Sequence, residues 1–100
     1  MKKTTITFNN KEYKIPNFDF NALCELGDRG LDTQDLMSGK LNGLKLIRAI
    51  LSFTINESVE TTGILISKYI SENGMENFNE VIKPLIEAFG NSDFFKSLVK

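Results

Sequence analysis

The sequence predicts a mainly α-helical domain, a small bundle of about five to six helices with an N-terminal β-hairpin. Apolar residues recur at helical spacing from residue 18 to residue 99, whereas residues 4–15 alternate between apolar and polar side chains. The 100 residues are enough for one domain, 1–100. A chain of this length buries roughly two thirds of its unfolded surface, so it can form a core without disulfides or metals.

Residues 4–15 predict the hairpin, with a turn at Asn9-Asn10-Lys11. Two registers fit this pattern. A turn centred on Asn10-Lys11 pairs Phe8 with Tyr13 and gives the better apolar pairing, whereas a turn centred on Asn9-Asn10 shifts each pair by two residues. Both registers place four apolar side chains on one face, which must dock on the helices or on a second subunit in a homo-oligomer. These side chains are Ile6, Phe8, Tyr13 and Ile15.

The segment Leu41–Asn56 predicts a central helix that is apolar on most of its circumference. Only Lys45, Arg48 and Ser52 are expected to prefer water. Such a helix must be covered on several sides. It is too short, and too interrupted by charge, to cross a bilayer.

The other predicted helices follow from capping signals and apolar stripes. Asp19 is the expected N-cap of the first helix, Ser58 or Asn56 caps a helix that ends before Gly74, and Ser92 caps the last turns. A short helix is expected over 31–36. The cleanest periodicity spans 77–89 and contains Pro84, which should kink that helix or restart it. The expected stripe of the first helix consists of Phe20, Leu23, Cys24 and Gly27.

Composition excludes several classes of site. The chain has no histidine and a single cysteine, which rules out Ser-His-Asp arrangements, imidazole metal sites and internal disulfides. We therefore expect a protein that is not an enzyme, with no catalytic, cofactor-binding or metal site. Cys24 is interpreted as a core residue, and a lone cysteine suits the reducing cytoplasm. A net charge of −1 argues against nucleic acid as a partner, and no segment suits a membrane.

The C-terminal phenylalanines are the candidate partner-binding residues. Phe94 and Phe95 point about 100° apart on a helix, so both cannot face one core equally. Core packing is the favoured interpretation, and a partner-binding anchor formed by Phe94, Phe95 and Leu98 is the alternative.

The chain resembles the tail assembly chaperones of long-tailed bacteriophages, in the small form found in phages and prophages of low-GC Gram-positive bacteria. The resemblance covers nearly the whole chain. It rests on the hairpin, on residues 20–32 (FNALCELGDRGLD), on residues 48–51 (RAIL), on a helix ending in Gly74, and on residues 92–95 (SDFF). These motifs are packing and capping residues rather than chemically specific ones.

The resemblance implies a non-enzymatic assembly factor in the host cytoplasm that is absent from the mature virion. Its members coat the tape measure protein, keep it soluble and help to recruit tail tube subunits. Many are also made in a longer, frameshifted form, and this chain would be the short form. A small prophage regulatory or DNA-associated helical domain is the alternative function. It would require a basic recognition helix, which is absent from the sequence.

Overall fold

The computed structural model describes residues 4–30 and 44–92. Within these ranges the protein is mainly helical and begins with a two-stranded antiparallel hairpin, which confirms the coarse fold class, whereas the predicted five to six helices exceed the number that these residues form. The described residues form four helices. The helices predicted over 31–36 and after Ser92 lie outside the described residues. The elements are β1 (Thr5–Phe8), β2 (Lys11–Lys14), α1 (Phe20–Asp28), α2 (Leu44–Ile55), α3 (Val59–Asn73) and α4 (Met75–Gly90).

The hairpin adopts the register that the sequence analysis did not favour. Phe8 pairs with Lys11, and Ile6 pairs with Tyr13, so the turn is centred on Asn9-Asn10. Both asparagines have positive φ, 55° and 64°, as the tight turn that matches strand twist requires. Turn geometry therefore outweighed apolar cross-strand pairing. Because the shift is two residues, the apolar face stayed the same.

This apolar face docks on the protein's own helices. Ile6 and Phe8 are almost completely buried. The ring centroid of Phe8 lies 5.3 Å from that of Tyr69 on α3 and 6.5 Å from that of Phe78 on α4. These aromatic contacts fix the hairpin against the end of the bundle where α3 meets α4.

Helix α2 is the central helix, as predicted. Four of its apolar side chains are at most 3% exposed, and α2 contacts α1, α3, α4 and β2. The expectation for Ser52 was wrong, because this residue is fully buried. Its hydroxyl donates a hydrogen bond to the carbonyl of Ala49 at 2.8 Å, so this buried polar group has a partner within its own helix. Lys45 is exposed as expected, whereas Arg48 is half-buried.

The stripe predicted for α1 was wrong. Ala22 and Leu26 face the core, whereas Cys24 is exposed and Phe20 is 62% exposed. A helix of this length offers two apolar stripes, and the one that carries Ala22 and Leu26 is the buried one. The N-cap was predicted correctly, since the carboxylate of Asp19 accepts a hydrogen bond from the amide of Ala22 at 2.9 Å.

Helices α3 and α4 form a helical hairpin around Gly74. The hydroxyl of Ser58 caps α3 by accepting from the amide of Thr61 at 3.0 Å. Gly74 has a φ of +90°, which ends α3 and starts α4. Helix α4 runs continuously from Met75 to Gly90 with Pro84 inside it. The buried face of α4 comprises Phe78, Ile82, Leu85 and Phe89.

Replacing Gly63 by alanine should stabilise the protein. A methyl group at this interior position of α3 would have the Cδ of Arg48 as its nearest neighbour at 3.7 Å, an ordinary contact. Alanine is about 0.5–1 kcal/mol better than glycine inside a helix. Urea unfolding should therefore show Gly63→Ala raising the free energy of unfolding by about that amount. Gly74→Ala is the control and should lower it, because its φ is positive. Stability unchanged or reduced in Gly63→Ala would contradict this packing.

Candidate partner-binding surface

The predicted partner-binding residues Phe94, Phe95 and Leu98 lie outside the described residues. The described part of the chain offers other surfaces. One is a groove of about 610 Å³ between β1 and the paired helices α3 and α4. Its lining consists of residues 4–7 of the hairpin with Tyr69, Asn77, Glu80, Val81 and Pro84 of the helices.

The groove follows the outer edge of β1. The side chains of Ile6 and its threonine neighbours point to opposite faces of the strand, yet all of these residues line the groove. Residues from both faces can line the same groove only if it runs along the edge of the strand. No β2 residue is among the described lining residues, so β2 lies at the other edge. We call this feature the edge groove.

The register determines which backbone groups face the edge groove. Paired residues in an antiparallel ladder alternate between those that exchange hydrogen bonds and those that do not. Phe8 and Lys11 flank the two-residue turn and form the first bonded pair, and the amide of Ile15 donates to the carbonyl of Thr4 at 2.8 Å. Thr5 and Thr7 are therefore the alternate positions. Their N–H and C=O groups point away from β2, and no backbone partner for them occurs within residues 4–30 and 44–92.

The helical wall of the groove contains a backbone carbonyl that lacks its usual α-helical donor. Pro84 has no N–H, so the carbonyl of Glu80, four residues earlier, loses its α-helical donor. Both residues line the groove. The side chain of Glu80 is exposed, and it is the one charged side chain among the described lining residues. The groove thus offers backbone donors and acceptors beside a single negative charge.

A different, apolar surface lies beside the central helix. Leu44 is 76% exposed and Ile64 is 66% exposed. Leu44 lies one turn before Arg48, whose Cδ approaches Gly63, the neighbour of Ile64. Both apolar side chains therefore flank the line of contact between α2 and α3. We call this feature the α2–α3 surface.

Arg29 joins α1 to the end of α2. Its guanidinium donates to the hydroxyl of Ser52 at 3.3 Å and to the backbone carbonyl of Glu57. It also pairs with the carboxylate of Glu25 at 3.2 Å and lies 6.0 Å from the ring centroid of Phe53. The arginine side chain is 17% exposed, whereas Glu25 is 47% exposed. The ion pair is therefore well screened, and the bonds to Ser52 and Glu57 matter more.

Other kinds of site find no support in the described part of the chain. No cluster of three or more acidic, cysteine or histidine side chains there could hold a metal ion. The interpretation of Cys24 as a core residue was wrong, because the residue is exposed on α1. Across the two described ranges, none of the helices has the length and apolar character needed to cross a membrane.

Comparison with family models, with curated proteins and with solved structures found no match for this chain.

Sequence reasoning missed the edge groove and the role of Arg29. The groove depends on the hairpin register, which the apolar pattern alone did not decide. Pro84 was the signal that could have indicated it, because a proline inside a helix frees a carbonyl one turn earlier. Arg29 lies in the turn that follows α1. Its contacts with Ser52 and Glu57, 23 and 28 residues away, leave no pattern in the sequence.

Removing the guanidinium of Arg29 should destabilise the protein. Arg29→Met keeps much of the aliphatic packing but loses the bonds to Ser52 and Glu57, so we expect a loss of about 1–2 kcal/mol in urea unfolding. Arg48→Met is the matched control, because both arginines have a buried Nε without a hydrogen-bond partner, and only Arg29 also donates to Ser52 and Glu57. That variant should change stability by less than about 0.5 kcal/mol. Equal losses in the two variants would show that the Arg29 bonds contribute nothing specific.

Proposed function

We propose that this protein is a non-enzymatic phage tail assembly chaperone that binds the tape measure protein, keeps it soluble and helps to recruit tail tube subunits. The observation that carries the proposal is the resemblance along nearly the whole chain to small tail assembly chaperones. The mainly helical fold with its N-terminal hairpin agrees with that resemblance. In this proposal the protein works in the host cytoplasm and is absent from the finished virion.

The described motifs behind the resemblance lie at positions where helices pack or end. Arg29, from the motif at 20–32, contacts the end of α2, and the motif at 48–51 supplies three core residues of that helix. Gly74 forms the bend between α3 and α4. The motifs therefore specify how the helices pack, which supports a shared fold more directly than a shared binding surface.

The α2–α3 surface is the proposed contact for the tape measure protein. A long, largely helical partner can place apolar side chains against an exposed apolar line on another helix pair. Leu44 and Ile64 provide such a line beside the central helix. Each contact would be modest, and many copies along one extended partner would bind by avidity.

Co-expression tests this function. The proposal predicts that a neighbouring gene encodes a very long, helix-rich tape measure protein, and the chain should be produced together with that product. We expect a soluble complex with several copies of this protein per partner, measured by size-exclusion chromatography with light scattering. A tape measure protein that stays insoluble, with nothing co-purifying, would overturn the proposal.

The contact surface has its own test. Leu44→Ser combined with Ile64→Ser should reduce co-purification with the tape measure protein, because it removes the exposed apolar line while leaving the core intact. Lys68→Ser, at an exposed position of α3, is the control and should bind normally. Full binding by the double variant would exclude the α2–α3 surface.

The candidates outside the described residues need a separate pair of measurements. Phe94→Ser with Phe95→Ser should be examined for partner binding and for its circular dichroism melting curve. Lost binding with an unchanged melting curve identifies a partner-binding anchor, whereas a lost or lowered transition identifies core residues.

A further inference from the structure

The edge groove has the features of a site that accepts another strand. Its hairpin wall presents the unpaired N–H and C=O groups of Thr5 and Thr7, which follow from the observed register. Its helical wall includes Glu80, whose carbonyl lacks the amide donor that a residue other than Pro84 would supply. Exposed strand edges are templates for pairing with another chain, and proteins normally protect them with charge, proline or a covering element. Here the groove runs alongside the edge and leaves it accessible.

We propose that the outer edge of β1 is a docking site for an extended segment of a partner protein, which adds to the hairpin as a third strand and places a lysine or arginine against Glu80. Main-chain hydrogen bonds to Thr5 and Thr7 supply the attachment, as in other cases of strand addition. The charge at Glu80 supplies the preference for a basic side chain, since it is the charged group among the described lining residues.

An extended segment fits the groove better than a helix does. A helix satisfies its backbone groups internally, so it would leave the amides and carbonyls of Thr5 and Thr7 unpaired. An extended chain has free N–H and C=O groups at the spacing of a strand. This site is separate from the α2–α3 surface assigned above to a tape measure helix, so either can fail without the other.

Charge argues against a second copy of this chain as the occupant. In a symmetric pair, every residue on one side of the contact recurs on the other. Pairing two β1 edges would therefore bring two grooves together, each carrying Glu80 and no basic side chain among its described lining residues. A partner strand with a cationic side chain has the opposite charge to Glu80, whereas a second copy of the groove has the same charge.

The test uses two short capped peptides rich in threonine and valine, one with a central lysine and the other with a central glutamate. Each is titrated into the ¹⁵N-labelled protein and followed by amide chemical shifts. We expect weak binding in fast exchange, with the largest shifts at Thr5, Thr7 and the residues around Glu80. The lysine peptide should bind about three- to tenfold more tightly, the ratio expected for exposed charges.

Two variants separate backbone pairing from charge. Thr7→Pro removes an N–H that faces the groove but leaves the β1–β2 bonds in place, so it should weaken binding about tenfold or more. Thr7→Val keeps the N–H and is the matched control.

Glu80→Lys, at an exposed position of α4, should reverse the preference in favour of the glutamate peptide. This reversal needs no change in the hairpin, so it remains informative if Thr7→Pro does not fold.

Any of the following results would overturn the proposal. The first is the absence of shifts at Thr5 and Thr7 with either peptide. The second is equal binding by the wild-type protein and a folded Thr7→Pro variant, or a charge preference that Glu80→Lys leaves unchanged. The third is self-pairing, in which the shifts of Thr5 and Thr7 depend on protein concentration without peptide and the sedimentation coefficient rises. That outcome would assign the edge to a second copy of this chain.

Discussion

The structure depends on the need to cover one helix on nearly all sides. Four core residues of α2 are almost inaccessible to solvent, and a helix with that much apolar surface cannot stand at the edge of a bundle. The neighbouring elements are arranged around it: α1, α3 and α4 pack against it, and β2 also contacts it. The hydrophobic effect is not directional, so it explains why these elements collect around α2 but not how each is oriented.

Directional groups supply the orientation. Arg29 connects the end of α1 to the hydroxyl of Ser52 and to the carbonyl of Glu57, which fixes α1 relative to the turn between α2 and α3. The aromatic cluster of Phe8, Tyr69 and Phe78 does the same for the hairpin against α3 and α4. Each contact joins segments far apart in the sequence. Together they turn a general tendency to collapse into one arrangement.

The sequence predicted the parts of the fold that are governed by local chemistry. Asp19 was identified as a cap, Ser58 as one of two candidate caps with Asn56, and Gly74 as a helix end, because capping acts over three or four residues. Predictions failed where two local patterns competed and a distant contact decided between them. Cys24 and Ala22 lie on alternative stripes of one short helix, and only the approach to α2 selects between them. Ser52 was expected to be exposed because it is polar, and the sequence alone does not show that its hydroxyl bonds to the carbonyl of Ala49.

The surfaces were less predictable than the core. A groove exists only after strands and helices have been placed, so no periodicity indicates it. The hairpin shows this directly, since a shift of two residues preserves the buried face but changes which amides point outward. Leu44 continued an apolar stripe in the sequence and is nevertheless exposed, because no described element covers the start of α2. Apolar character predicts burial on average, whereas exposed exceptions depend on where neighbouring elements end.

The position of Cys24 has a practical consequence. It is the one cysteine of the chain, and its thiol is exposed on the outer side of α1. A maleimide fluorophore or spin label would therefore attach at one defined place without any mutation, away from the buried side chains of α1. Counting fluorophores in an isolated assembly would then give its subunit stoichiometry directly. The same thiol can form disulfides between molecules in air, so a reductant is needed whenever oligomeric state is measured.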